Sequence, residues 1–253
     1  MVPGVNTSMF TVTSRTLAAY QIIAHCAFIY AFFIGTPINW VIGFLIYLTI
    51  STLGGTITYH RLLTHKSFDS PKWFEYLGSL LGSLGGNGSP LAWVAIHREH
   101  HRYTDTGKDP HGLSKGFFQV QFASFLEAPK LRYVMDLLRS KFHTMLHQYY
   151  WLYNAMYVAG VYALFGIPGI IFGYFVPTLL VWHAGSFINT INHRLGYRNF
   201  DTKDLSTNNI VLGYLVSGEG WHNNHHAFAS DPQFGKKWWE FDLGYQIIKL
   251  IRK

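Results

Sequence analysis

Charge is scarce in this chain of 253 residues, and it is unevenly placed. Asp, Glu, Lys and Arg make up 13% of it, where a soluble domain carries about 25%. Residues 16–60 contain none, and neither do residues 142–193. Cysteine is nearly missing as well. Cys26 has no second cysteine to pair with, which excludes a disulfide scaffold and the cysteine-rich zinc and iron–sulfur sites. No dinucleotide fingerprint occurs. Gly85-Gly86-Asn87-Gly88 lacks the strand, helix and Lys-Ser/Thr context of a phosphate loop and reads as plain loop. Disorder is excluded by the apolar content of 49%.

What fills the charge gaps is apolar. A membrane-crossing helix needs about 20 such residues, so each gap is long enough for two spans and a turn. Gly35-Thr36-Pro37 breaks the first gap and Gly166-Ile167-Pro168-Gly169 the second. The sequence predicts spans near 17–34, 38–58, 149–165 and 169–191. Two hairpins would put all 20 Lys and Arg on one side, which the positive-inside rule makes cytoplasmic. Both termini and the middle segment share that side. The net charge of +7 then reads as orientation and attraction to anionic headgroups, not nucleic-acid binding. Residues 1–14 read as a short polar lead without the features of a cleaved signal. Residues 238–253 read as an amphipathic tail along the surface.

Fourteen histidines are present, and most cluster in the polar segments. His60 and His65 close the second span. His97, His100 and His101 form H-x2-H-H, and His222, His225 and His226 repeat it. His193 ends the fourth span, four residues after Asn189. At 100° per residue, His100 and His101 fall about 60° and 40° either side of His97, so each box shares one helix face. His60 and His65 lie about 140° apart on a regular helix; they serve different metals or sit where the helix ends. Imidazole is a common ligand of iron, zinc and copper. Nine clustered histidines exceed what one metal takes, so two metals are expected. Metal-bound histidines usually donate their other N–H to a carboxylate or carbonyl, a task suited to Glu99, Asp105, Asp109 and Glu219. His25 reads as a packing or hydrogen-bonding residue of the first span, His143 and His147 as headgroup-level residues, His111 as a turn residue or a support of the site, and His183 as a packing residue or a support of the site.

Four segments carry a family resemblance. They are His60-Arg61-Leu62-Leu63-Thr64-His65, Trp93-Val94-Ala95-Ile96-His97-Arg98-Glu99-His100-His101, Asp105 to His111, and Gly218-Glu219-Gly220-Trp221-His222-Asn223-Asn224-His225-His226. Together they resemble the membrane fatty-acyl desaturases, in particular the stearoyl-coenzyme A and bacterial-type enzymes acting at carbon nine. The resemblance implies an all-α membrane protein: four transmembrane helices in two hairpins under a cytosolic helical cap, one domain over residues 1–253, with the cap from 60–148 and 192–253. It implies two iron ions held by His60, His65, His97, His100, His101, His193, His222, His225 and His226, with Asn189 reaching one metal through water. Trp93 matches a residue lining the acyl tunnel. The implied reaction is O2-dependent insertion of a cis double bond into a saturated acyl chain, carried by coenzyme A or a lipid. Electrons come from a separate carrier such as cytochrome b5 or a ferredoxin, since the chain has no room for a fused cytochrome domain. Arg98, Arg102 and Lys108 are candidates to hold an anionic headgroup. The alternative activity is a membrane di-iron hydroxylase of acyl, alkane or sterol substrates. A metal transporter is a further alternative, but transporters place ligands near the bilayer midplane, and here the boxes lie beyond span ends.

Overall fold

The computed structural model describes residues 13–123 and 127–253. The expected polar lead therefore lies, up to residue 12, outside the described residues. Helices dominate. Among the described residues the only β pairing is two isolated bridges, Tyr197 with Asn208 and Asn208 with Trp221.

Three helical stretches are long and apolar enough to cross a membrane: α1, Ser14–Ile34; α2, Pro37–Thr64; and α7, Tyr150–Ile191. The first two start where the sequence supplies a cap, and the third, which covers both predicted spans 149–165 and 169–191, is broken at one residue. Thr13 caps α1 in a reciprocal box with Thr16. Thr36 does the same for α2 with Asn39, and Pro37 supplies a preset φ at the first helical position. Inside α7, Gly166 adopts φ 62° and ψ −151°, a conformation open to glycine and closed to most other residues. On either side of it Tyr157 donates to the Gly173 carbonyl at 3.1 Å and Tyr174 to Asn154 Oδ1 at 2.7 Å. The outer faces carry bare apolar side chains such as Ile22, Phe33, Leu164 and Phe165. Exposed patches of that kind belong against lipid or a partner, consistent with membrane association.

The second half of α2 departs from α geometry. Over Ile50–Thr64 it is wound as a π-helix. The His65 N–H bonds the His60 carbonyl five residues back, and the Thr58 and Thr64 hydroxyls likewise donate to the carbonyls of Leu53 and Tyr59. Nearly every residue of this stretch is buried. Gly54 permits its close approach to α3, Lys72–Ser83: a Cβ there would stand 2.3 Å from the Gly82 nitrogen.

The polar cap is built on the ends of α2 and α7. Ser89 caps α4, Pro90–Tyr103, which lies over a core of Tyr59, Leu63, Leu91, Val94 and Val134. α5, Phe117–Phe122, and α6, Lys141–Gln148, follow. After α7 come α8, Ile210–Leu215, α9, His222–Ala227, and α10, Leu243–Ile251. The tail is amphipathic as expected: Ile248 is fully buried against Ile57 and Phe74, while Leu250 and Trp238 stand free. One buried ion pair ties this tail to α2. Arg61, with no exposure, donates to Asp242 at 3.0 Å and to the Pro232 carbonyl at 2.8 Å, and its guanidinium lies over the Phe234 ring.

Candidate metal centre

Nine histidines converge where α2, α4, α7 and α9 meet. They fall into two groups whose ring nitrogens lie within 4.8 Å of one another: His60, His65, His97, His101 and His225 in one, and His100, His193, His222 and His226 in the other. Each box is thereby split. In α4 the i, i+4 pair His97 and His101 stays together and His100 goes to the second group. In α9 the pair His222 and His226 stays together and His225 goes to the first. One helix face does serve each box, but it serves two positions.

His60 and His65 belong to the same group, with rings 4.9 Å apart. The 140° separation assumes α winding. With bonds five residues back, the fifth residue lands one turn above the first, and the two rings meet. His65 also caps the helix end, so of the two alternatives the structure takes the second, and the two rings do not divide between groups.

Carboxylates fix the rings. His60 Nδ1 donates to Glu219 at 2.6 Å, His100 Nδ1 to Asp109 at 2.9 Å and His193 Nδ1 to Asp105 at 3.0 Å. A ring that donates from Nδ1 while neutral has a bare lone pair at Nε2. Those lone pairs point inward. His60 Nε2 is 3.0 Å from His225 Nε2, and His193 Nε2 is 3.0 Å from His222 Nε2. The Nε2 atoms of His65, His100 and His226 are buried without a hydrogen-bond partner. Crowded lone pairs repel unless a cation lies between them, so this donor set fits metal ions. It is nitrogen-rich and cysteine-free, which suits iron, zinc or copper.

The electrostatics agree. Burial, and then the neighbouring imidazoles, push His65, His97, His101, His222 and His225 well below the ordinary histidine range. His226 is pushed down by burial to about 4, against the opposing pull of Asp204. These rings stay neutral at physiological pH, as ligands must. Burial would raise Asp109, but the bonds from His100 and from the backbone of Asp105 and His111 hold it at about 2.

Asp204 was not foreseen. It accepts from His226 Nδ1 at 3.0 Å from a polar loop 22 residues upstream, where no spacing marks it. Glu99, expected beside a histidine, instead accepts from Lys130; it projects from α4 away from the boxes. Arg98 is committed to Asp136 and to the Leu63, Thr64 and Tyr133 carbonyls, so it is not a free headgroup contact. His143 and His147 are buried and bonded to Ser79 and Ser89. His25 and His183 bond each other, and His183 also accepts from Gln121; neither reaches the groups.

A cavity of about 230 Å³ opens beside the centre. His60, His97, His222, Asn189 and Trp93 line it, and the Trp93 indole stacks on His97 with centroids 4.8 Å apart. His111 lines it as well and, buried among histidines, is lowered to about 3.

Comparison with known proteins gives the same direction. The family model described as fatty acid desaturase matches residues 15–250. The chain is 35% identical to an sn-1 stearoyl-lipid 9-desaturase of Anabaena variabilis, over 87% of this chain and 84% of that protein. It is 36% identical to an sn-2 palmitoyl-lipid 9-desaturase of a Nostoc species, over 85% and 79%. An acyl-CoA 5-desaturase of Anemone leveillei is 38% identical over 81% of this chain, which spans 66% of that plant protein.

Proposed function

The chain belongs to the fatty acid desaturase family and is an oxidoreductase acting on acyl chains; from that premise we propose that it inserts a cis double bond at carbon nine of a saturated acyl chain, using O2, two electrons and two protons and releasing two waters. The observation that carries the reading is the split of nine buried histidines into groups of five and four beside a cavity open to an apolar chain. The nine rings would hold two irons, and Asn189 would reach one of them through water. Bound iron supplies O2 activation and hydrogen removal from two adjacent methylenes. The protein supplies the rest. Glu219, Asp105, Asp109 and Asp204 orient the rings and keep Nε2 free for metal. Trp93 and Asn189 wall the chain beside His97 and His222, which fixes which carbon pair is presented. Burying the acyl tail contributes about 0.8 kcal/mol per methylene.

The chain is one integral-membrane domain with four spans. In this reading α7 crosses twice, turning at Gly166, and α1 and α2 turn at Gly35. The active site and both termini face the cytoplasm, where cytochrome b5 or a ferredoxin delivers electrons. Both 9-desaturase relatives act on lipid-bound chains by name, which favours an acyl-lipid over an acyl-coenzyme A substrate. The test is expression in a desaturase-deficient host, followed by lipid analysis with double-bond localisation. A nine-position alkene is expected. A hydroxylated chain without alkene rejects the proposal.

A further inference from the structure

Two adjacent glycines of α2 face opposite conditions. Gly54 is pressed against the backbone of α3, so no side chain fits. At Gly55 a Cβ would meet nothing within 4 Å, and the open space is the cavity itself, which Gly55 lines. Gly185 of α7 repeats this: it lines the same cavity, and its nearest neighbour would be the Asn87 amide at 3.9 Å. Glycine weakens a helix relative to alanine, and neither position has a positive φ that would require it. Space left open at a cost in helix stability implies an occupant.

Each glycine sits about one helical turn before a residue at the histidine end of the cavity. Gly55 precedes His60 by five residues, one turn of the π winding, and Gly185 precedes Asn189 by four, one turn of α-helix. Beyond them the lining runs on to Ser51 and Val181, both buried, whereas Thr13 and Ala128 at the cavity's other lining segments are exposed. The cavity therefore opens near Thr13 and Ala128, passes the histidines, and ends beyond the two glycines. Its walls hold buried polar atoms without a hydrogen-bond partner: His222 Nδ1, and Glu219 Oε1, which faces only the Arg61 guanidinium at 3.8 Å.

We infer that Gly55 and Gly185 are specificity-determining residues, the gap through which the distal part of a saturated acyl chain passes after the reacting carbons. This rests on the proposed function for the identity of the chain. A side chain at either position closes the gap, so it excludes long chains and spares those that end before it.

The experiment uses full-length wild type, Gly55→Ala, Gly55→Leu and Gly185→Leu in a desaturase-deficient host fed lauric, myristic, palmitic and stearic acids. In parallel, membranes are photolysed with stearic acid bearing a diazirine near its methyl end, and the labelled residues are mapped. Wild type is expected to be labelled on α2 and α7 beyond the glycines. Gly55→Leu and Gly185→Leu should lose that label and make at least about tenfold less product from stearic acid relative to the shortest chain used. Gly55→Ala, which improves the helix and meets no clash, should shift the profile in the same direction by less, and it keeps the test valid if leucine prevents folding. Unchanged labelling and an unchanged chain-length profile in the variants overturn the inference, even if wild type makes alkene. Labelling that is lost on substitution, in a protein that makes no alkene, upholds the inference and rejects the proposed reaction.

Discussion

The two histidine groups differ in what stands behind them. One carboxylate, Glu219, backs the group of five. Three back the group of four: Asp109 on His100, Asp105 on His193 and Asp204 on His226. A carboxylate behind an imidazole raises its basicity and fixes its tautomer. The smaller group thus compensates for its missing ring with negative charge close by. The larger group is braced differently, by packing. Phe234 lies 4.3 Å from the His225 ring and is itself held under Arg61, which Asp242 anchors.

This contrast can be broken most severely by removing a ligand. His222→Ala leaves three rings in the smaller group, whereas His65→Ala leaves four in the larger. We expect His222→Ala to lose one iron per chain and all detectable product, and His65→Ala to retain more iron; equal iron loss in both would erase the distinction. Next in size is the brace. Asp242→Ala strands a buried guanidinium and should cost about 3–5 kcal/mol, read as a lowered melting temperature with the group of five disturbed first.

Acid comes third. His65, His97, His101, His222, His225 and His226 have folded pKa values depressed by burial below the unfolded value of about 6.5. Below that pH the unfolded chain takes up protons that the folded protein refuses, so metal-free protein should lose stability as pH falls and keep it above 6.5. His226, at about 4, accounts for about 3 kcal/mol of this by pH 4. His65, His97, His101, His222 and His225, also pushed well down by burial, act in the same direction. A melting temperature flat between pH 7 and 5 would contradict this. Fourth, Asp204→Asn and Glu219→Gln should each weaken iron binding about 10–100-fold, with equilibrium competition by a chelator separating the two positions. The smallest effect belongs to Glu99→Gln, which should leave iron content unchanged because Glu99 touches no histidine ring of either group.

Much of this was legible in the sequence, for reasons particular residues make plain. The charge gaps marked the apolar helices; the breaker at Gly35 marked the boundary between α1 and α2, and the one at Gly166 a break in helical backbone inside α7. The histidine boxes announced themselves by repetition at helical spacing. Asp204 stayed hidden because only the folded loop brings it to His226. Glu99 misled because adjacency in sequence is not adjacency across a helix. His60 and His65 could not be placed together because periodicity arguments presume 3.6 residues per turn.

That unusual winding has a consequence for how this stretch tolerates change. Apart from Gly54 and His60, swapping one side chain between Ile50 and His60 alters a wall; deleting one residue alters the phase of the whole wall. A single-residue deletion would swing Ser51 and Gly55 out of line with His60, turning the cavity wall and the histidine toward different directions. Here spacing is more constrained than identity, and length variation should ruin the protein where substitution only retunes it.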